Sequence, residues 1–231
     1  MTKHIADISQ PKAAMIGGIG LLVMTVFALF AFSVHQSLIV PGDAATTANN
    51  IMSDELLFRI VICSFLVVVI LDVVVAWALY ILLKPVNKSL SLLTAWSRLT
   101  YAIIFGVALG NLFAVLHLLS GTDYLSVFET DQLHAQVMLS LNAFDQVWDI
   151  GFVFFGLHLS LLGYLVFKSD YIPRILGVLL MIAGLSYLID YLTIFLFPSF
   201  DLAISQIFGW GELLFMIWLL LKGSKIPEME S

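Results

Sequence analysis

Asp72, His158 and Glu212 sit inside apolar runs long enough to cross a bilayer, where ionisable side chains are rare. An aspartate at the centre of a spanning helix costs about 2.5–3.5 kcal/mol even on the lenient insertion scale. Such groups therefore face a partner, a cavity or a proton path rather than lipid. Carboxylates and an imidazole at one depth can relay protons, bind a cation or hold a polar ligand. The stretch Asn142 to Lys168, NAFDQVWDIGFVFFGLHLSLLGYLVFK, concentrates this feature, because it carries Asp145, Asp149 and His158.

Sequence position converts to depth at about 1.5 Å per residue. With span centres near Ile70, Leu157 and Glu212, the residues Asp72, His158 and Glu212 fall within about 3 Å of one plane at the bilayer middle. Asn111, Asp149 and Asp190 lie about 6–12 Å outward, and Arg59, His117 and Asp145 mark the outer boundary. Asp145 and Asp149 share one helix face, whereas Asp149 and His158 are half a turn out of phase and look into different spaces. The fourth span thus has polar faces at two depths and belongs inside the bundle. Gly151, Gly156 and Gly163 allow close helix approach to it, and Gly106, Gly110, Gly177 and Gly184 allow the same on neighbouring spans. Gly209 and Gly211 flank Trp210 beside Glu212 and predict an irregular backbone there.

Each candidate has a plain structural role as well as a functional one. Arg59 either reaches water or pairs with Asp145 or Asp149, or else it anchors an anion at the mouth of a cavity. Asp72 is within reach of Arg98, whose long side chain extends from the inner boundary. His158 serves either as a hydrogen-bonded core residue or as a ligand. Asp190 and Glu212 have no basic residue at their depth except Arg59 for Asp190, so both are candidates for proton binding or ligand contact. His117, His134, Asp145, Asp149 and Asp190 have the residue types for zinc or another divalent ion. Their spacing includes no His-x3-His or His-Glu-x2-His pair on one helix. No Gly-x-Ser-x-Gly occurs, no glycine-rich phosphate loop occurs, and no lysine lies inside a span to form a Schiff base.

The elements that position these residues follow from composition. Of the 231 residues, 61% are hydrophobic and 11% charged, with mean hydropathy +1.05. An ordinary soluble domain has about 25% charged residues. The sequence therefore reads as one transmembrane helical domain over residues 1–231, an all-α bundle with the lipid bilayer as its partner and no nucleic-acid-binding character. Six runs reach the length of a spanning helix: 13–34, 56–83, 92–119, 147–167, 175–197 and 202–221. They are continuous rather than alternating, which excludes a β-barrel. Cys63 is the one cysteine, so no disulfide forms within the chain. The first run is too long for a signal-peptide core and reads as a retained span.

Nine of the ten basic residues fall on alternate connections, with Arg59 the exception. The positive-inside rule then places both termini in the cytoplasm. In the first outer connection, Pro41-Gly42 breaks the chain, Asp43 caps a short helix, and Ser53 caps the second span. The second outer connection, Ser120 to Leu141, ends in a helix that lies on the membrane or extends the fourth span. Leu133, Val137 and Leu141 form its apolar stripe, with Asp131, His134 and Gln136 off it.

Several short motifs recur in an order that resembles the bacterial domain of unknown function 4386 family. They are Val40-Pro41-Gly42-Asp43-Ala44, Leu57-Phe58-Arg59 and Leu82-Leu83-Lys84-Pro85-Val86-Asn87, then Phe154-Phe155-Gly156-Leu157-His158 through Gly163-Tyr164-Leu165. Ile172-Pro173-Arg174-Ile175-Leu176-Gly177-Val178, Gly184-Leu185-Ser186-Tyr187-Leu188-Ile189-Asp190, Gly211-Glu212 and Trp218-Leu219-Leu220-Leu221-Lys222-Gly223 follow. The resemblance covers nearly the whole chain from the first span onward. It implies a multi-pass protein of the bacterial inner membrane and assigns no activity or cofactor. Its polar motif positions are Arg59, Asp72, Arg98, His158, Asp190 and Glu212.

The leading expectation is a protein that binds or transports a small molecule or ion through a polar intramembrane cavity open to the outer side. Arg59, Asp72, Arg98, Asn111, Asp149, His158, Asp190 and Glu212 are its ligand- or proton-binding candidates. The alternatives are a metal-dependent intramembrane enzyme acting on a lipid-like substrate, and a structural or regulatory membrane subunit.

Overall fold

The computed structural model describes residues 8–197, 200 and 202–228, and among them there are helices and no strand. Lys3, one of the residues behind the expected orientation, lies outside the described set. In hydrocarbon every backbone N–H and C=O must be satisfied internally, and a continuous apolar run does this as a helix. Helices α1 (Gln10–Leu38), α3 (Glu55–Leu83), α4 (Lys88–Leu118), α5 (Thr130–Lys168) and α6 (Arg174–Leu196) are long and apolar enough to span, as is the segment Ile204–Lys225. The protein is an all-α, multi-pass membrane protein with six spanning segments.

Between the first two spans lies α2 (Ala44–Ser53), started by the expected cap. Asp43 Oδ1 accepts from the Thr46 N–H at 2.9 Å, and Oδ2 accepts from the Thr46 hydroxyl at 2.7 Å. Gly42 at φ +78° turns the chain ahead of that cap. The cap of the second span differs from expectation. Ser53 is still part of α2, and its hydroxyl donates to the Asn50 carbonyl at 2.8 Å. Asp54 takes over instead, its Oδ1 accepting from the Leu57 N–H at 3.3 Å. The helix before the fourth span is continuous with it, making α5 39 residues long. His134 is buried like Val137 and Leu141 rather than off the stripe. The reason is spacing, since His134 and Val137 are one helical turn apart and share a face.

The chain divides into two compact units, with the divisions falling inside α1, α3, α4 and α5. The first comprises Met1–Val23, Leu71–Tyr101 and Phe152–Ser231. In it, α5 and α6 approach backbone to backbone. A Cβ on Gly163 would lie 2.6 Å from the Gly177 carbonyl oxygen, and one on Gly156 would lie 2.9 Å from that of Gly184. Small residues are what allow this proximity. The α5–α6 turn is tied down by Tyr171, whose hydroxyl donates to the Leu82 carbonyl at 2.7 Å.

The sixth spanning segment is broken, as the Gly209-Trp210-Gly211 sequence predicts. It consists of α7 (Ile204–Phe208), a turn, α8 (Gly211–Lys222) and a 3₁₀ turn at Gly223–Lys225. At Gly209 and Trp210, ψ is −3° and −5°, against about −42° in a regular helix. Gly211 meets α6 so closely that a Cβ would lie 2.5 Å from the Leu179 carbonyl oxygen. The hydrocarbon core is about 30 Å thick and α8 covers only about 18 Å. Because α8 ends at the basic Lys222, its first turn, with Glu212, begins within the membrane.

The second unit comprises Met24–Ile70 and Ala102–Gly151, and its interior is aromatic. Phe105 stacks on Trp148 with centroids 4.4 Å apart and planes 9° from parallel. Phe65 and Phe144 pack at 5.8 Å, and His35 sits among them.

Candidate functional site

Four helices of the first unit each contribute one polar side chain to a single buried cluster. Arg98 on α4 donates from Nε to Asp72 Oδ1 on α3 at 2.8 Å, and from Nη1 to Glu212 Oε1 on α8 at 2.5 Å. The same Nη1 lies 3.1 Å from His158 Nε2 on α5, and His158 Nδ1 lies 2.9 Å from the Thr94 carbonyl oxygen. A carbonyl can only accept and a guanidinium can only donate. Nδ1 therefore carries the hydrogen and Nε2 accepts, which makes His158 a neutral imidazole.

Local sequence explains the geometry. Thr94 and Arg98 are one turn apart on α4, so the carbonyl that orients His158 lies on the face from which Arg98 projects. The Thr94 and Ser97 hydroxyls bond back to the Leu90 and Leu93 carbonyls at 2.7 and 2.9 Å, which satisfies them outside the cluster. Arg98 Cζ stands 5.7 Å from the Phe155 ring centroid, an aromatic face that shields the cation. Glu212 occupies the first turn of α8, where the open N–H groups of a helix start favour negative charge.

The charges do not balance. One guanidinium faces two carboxylates, and the imidazole is neutral, so the cluster is one positive charge short. Asp72 Oδ2 is buried and has no hydrogen-bond partner among the described residues. The side chains of Arg98 and Asp72 are 0% and 1% exposed, whereas that of Glu212 is 16% exposed. The site therefore offers a free buried acceptor and one edge through which it can exchange.

The structure brings Asp72, Arg98, His158 and Glu212 together in one cluster, and the other candidates have different surroundings. Glu212 has a basic partner after all, contrary to the expectation from depth. Helix α4 starts at Lys88, a turn before the start the apolar run predicts, so Arg98 stands deeper in its helix. Asp190, buried on α6, accepts from the backbone N–H groups of Ile204 and Ser205 at 3.0 and 2.6 Å and holds the start of α7. In the second unit, Arg59 pairs with Glu55 one turn back at 2.6 Å, rather than with Asp145 or Asp149. It also lines a cavity of about 530 Å³ with Phe113, His117 and Ser120. Asn111 donates to the Ala108 carbonyl at 3.2 Å within its own helix. Asp145 is exposed and Asp149 half-buried. His117 bonds to the Tyr124 hydroxyl, and His134 Nδ1 is buried with no partner among the described residues. Among the described residues no three His, Cys, Asp or Glu side chains are grouped to hold a metal ion, and the proposed set of His117, His134, Asp145, Asp149 and Asp190 is no exception.

His35 is a residue the sequence reading passes over. It is 3% exposed, and neither ring nitrogen has a partner among the described residues. Phe58, Phe65 and Phe144 surround it at 6.5, 6.3 and 5.3 Å between centroids. Its place near the end of an ordinary apolar span hides it, since a single histidine there resembles an interfacial residue.

Six spanning segments, four of which contribute a side chain to a buried ion cluster in the first unit, define a multi-pass membrane protein. The chain belongs to the family described as a domain of unknown function (DUF4386), which it matches over residues 16–223. It is 39% identical over 170 residues to an uncharacterized protein of the archaeon Archaeoglobus fulgidus, covering 74% of this chain and 88% of that protein. No solved structure matches the chain.

Proposed function

We propose that the protein binds one proton at the Arg98 cluster and couples its exchange to the binding or passage of a small polar molecule or ion. The observation that carries this reading is the charge count. Two carboxylates share one guanidinium, the histidine is held neutral, and Asp72 Oδ2 is an unused buried acceptor. An uncompensated charge in a low-dielectric interior is expensive, so the missing positive charge comes from a proton or from a ligand cation that displaces it.

The broken sixth span supports the same reading. Discontinuous spans that place a half-helix terminus near the membrane middle are a recurrent feature of transporter binding sites. Here the half-helix α8 presents Glu212, the most exposed member of the cluster, from its first turn. In this proposal the protein resides in the cytoplasmic membrane with both termini inside, as the basic residues indicate, and the site exchanges with the outer side.

The test is flux and binding in reconstituted vesicles. Wild-type protein in proteoliposomes with an entrapped pH dye should respond to part of a panel of small organic ions, amino acids and metal cations. Glu212→Gln should abolish the proton movement while the protein stays folded. Equal responses from wild type and Glu212→Gln across the panel count against the proposal.

A further inference from the structure

The first unit also contains an open surface recess, lined by basic and apolar side chains, at the far end of α8 from Glu212. Its volume is about 580 Å³, within the range of small-ligand sites. The α5–α6 turn, through Asp170 and Tyr171, supplies one wall, and Trp218, Lys222 and Lys225 supply the other. The two lysines are exposed, and no carboxylate is recorded within ion-pair distance of either among the described residues. Asp170, the acidic residue in the lining, instead stands 3.8 Å from the guanidinium of Arg174. The recess is therefore lined by two ammonium groups without an ion-pair partner among the described residues, and by an indole.

Its position selects the ligand. Lys168 ends α5, Arg174 begins α6 and Lys222 ends α8, so the recess lies where three spans leave the hydrocarbon. That level is occupied by lipid headgroups, and Trp and Tyr side chains favour it for their mixed character. Basic recesses between spans at this level suit anionic headgroups. The wall is also ordered for the purpose. Tyr171 fixes the turn to Leu82, and the 3₁₀ turn at Gly223–Lys225 folds the chain so that Lys225 follows Lys222 into the same recess.

We propose that this recess binds a phosphate group, with Lys222 and Lys225 as its cationic contacts and Trp218 packing against the apolar part of the ligand. The site is separate from the Arg98 cluster and does not depend on any role for it. An anionic phospholipid and a free phosphate share this chemistry, and the experiment separates them.

Detergent-purified full-length protein should be compared with the double variant Lys222→Ala/Lys225→Ala and with Lys84→Ala/Lys88→Ala, which removes the same charge from a different turn. One arm measures retained lipid by native mass spectrometry after exchange into equal phosphatidylglycerol and phosphatidylcholine. The other measures the thermal shift caused by inorganic phosphate. The expected result is retention of phosphatidylglycerol over phosphatidylcholine by several-fold in wild type and in the Lys84/Lys88 variant, lost in the Lys222/Lys225 variant. A phosphate-induced shift with the same dependence on Lys222 and Lys225, and no lipid preference, assigns the site to free phosphate. Equal behaviour of the two double variants in both arms overturns the proposal, because the effect is then one of net charge alone.

Discussion

The two units bury polar groups in opposite ways. In the first, Arg98 is bonded by two carboxylates and a neutral imidazole from three other helices, and His158 has a bond to each ring nitrogen. In the second, His35 is equally buried but surrounded by phenyl rings, with no hydrogen-bond partner among the described residues. A charge cannot be left unpaired in such an interior, whereas a neutral imidazole can rest against aromatic faces at modest cost. The first arrangement depends on Arg98, which both carboxylates share; the second behaves as packing.

Removing the hub of the first arrangement should have the largest effect. Arg98→Ala leaves two carboxylates without their cation and should destabilise the protein by about 3–5 kcal/mol, as breaking a buried pair does. Denaturation in mixed detergent micelles measures this, and a loss near that of an ordinary surface substitution breaks the comparison.

The charge count makes a sharper prediction for the carboxylates. Asp72→Asn or Glu212→Gln alone leaves one cation facing one anion, so each should cost less than about 1.5 kcal/mol, the scale of one ordinary hydrogen bond. Together they leave Arg98 buried with no anion among these partners, and the double variant should lose well over the sum of the single changes, by about 2 kcal/mol or more. Additive behaviour in that cycle means that the cluster is not one charge short.

His35→Phe should do little by contrast. It exchanges a ring whose nitrogens are unpartnered for an apolar ring, and the change should stay within about 1 kcal/mol of neutral. A loss like that of Arg98→Ala indicates that His35 has a polar role of its own.

The smallest effect belongs to a carboxylate outside the membrane. The Thr46 backbone N–H and hydroxyl hold the Asp43 carboxyl below its ordinary value of 3.8. Its stabilisation of α2 is complete above that value and is lost as the pH falls through the lower folded-state value. Amide exchange at Thr46 and Thr47 should accelerate, relative to the intrinsic rate, only in that acid window. Asp43→Ala should remove the dependence.

Much of this fold is legible in the sequence because hydropathy and length decide it. Six apolar runs give six spanning segments, Asp43 announces α2, and Gly209 with Gly211 announces the break before Glu212. Depth counting also groups Asp72, His158 and Glu212, since a spanning helix turns position into height. It does not reveal which groups face each other. The bond between Arg98 and Glu212 joins residues 114 apart, and the rotation of each helix depends on packing such as that at Gly211 and Leu179. The partners of Asp190 stay hidden for a related reason. They are backbone N–H groups presented by the chain's return at Ile204 and Ser205, and backbone has no sequence signature.

The central claim is that the cluster holds one proton on a carboxyl when no ligand is bound. Infrared spectroscopy of the protein at neutral pH measures this through the carbonyl stretch of a protonated carboxyl. The account predicts a band in wild type that disappears in both Asp72→Asn and Glu212→Gln, because either amide makes the remaining carboxylate the sole counter-ion of Arg98. A wild-type spectrum indistinguishable in this region from those of the two variants contradicts it.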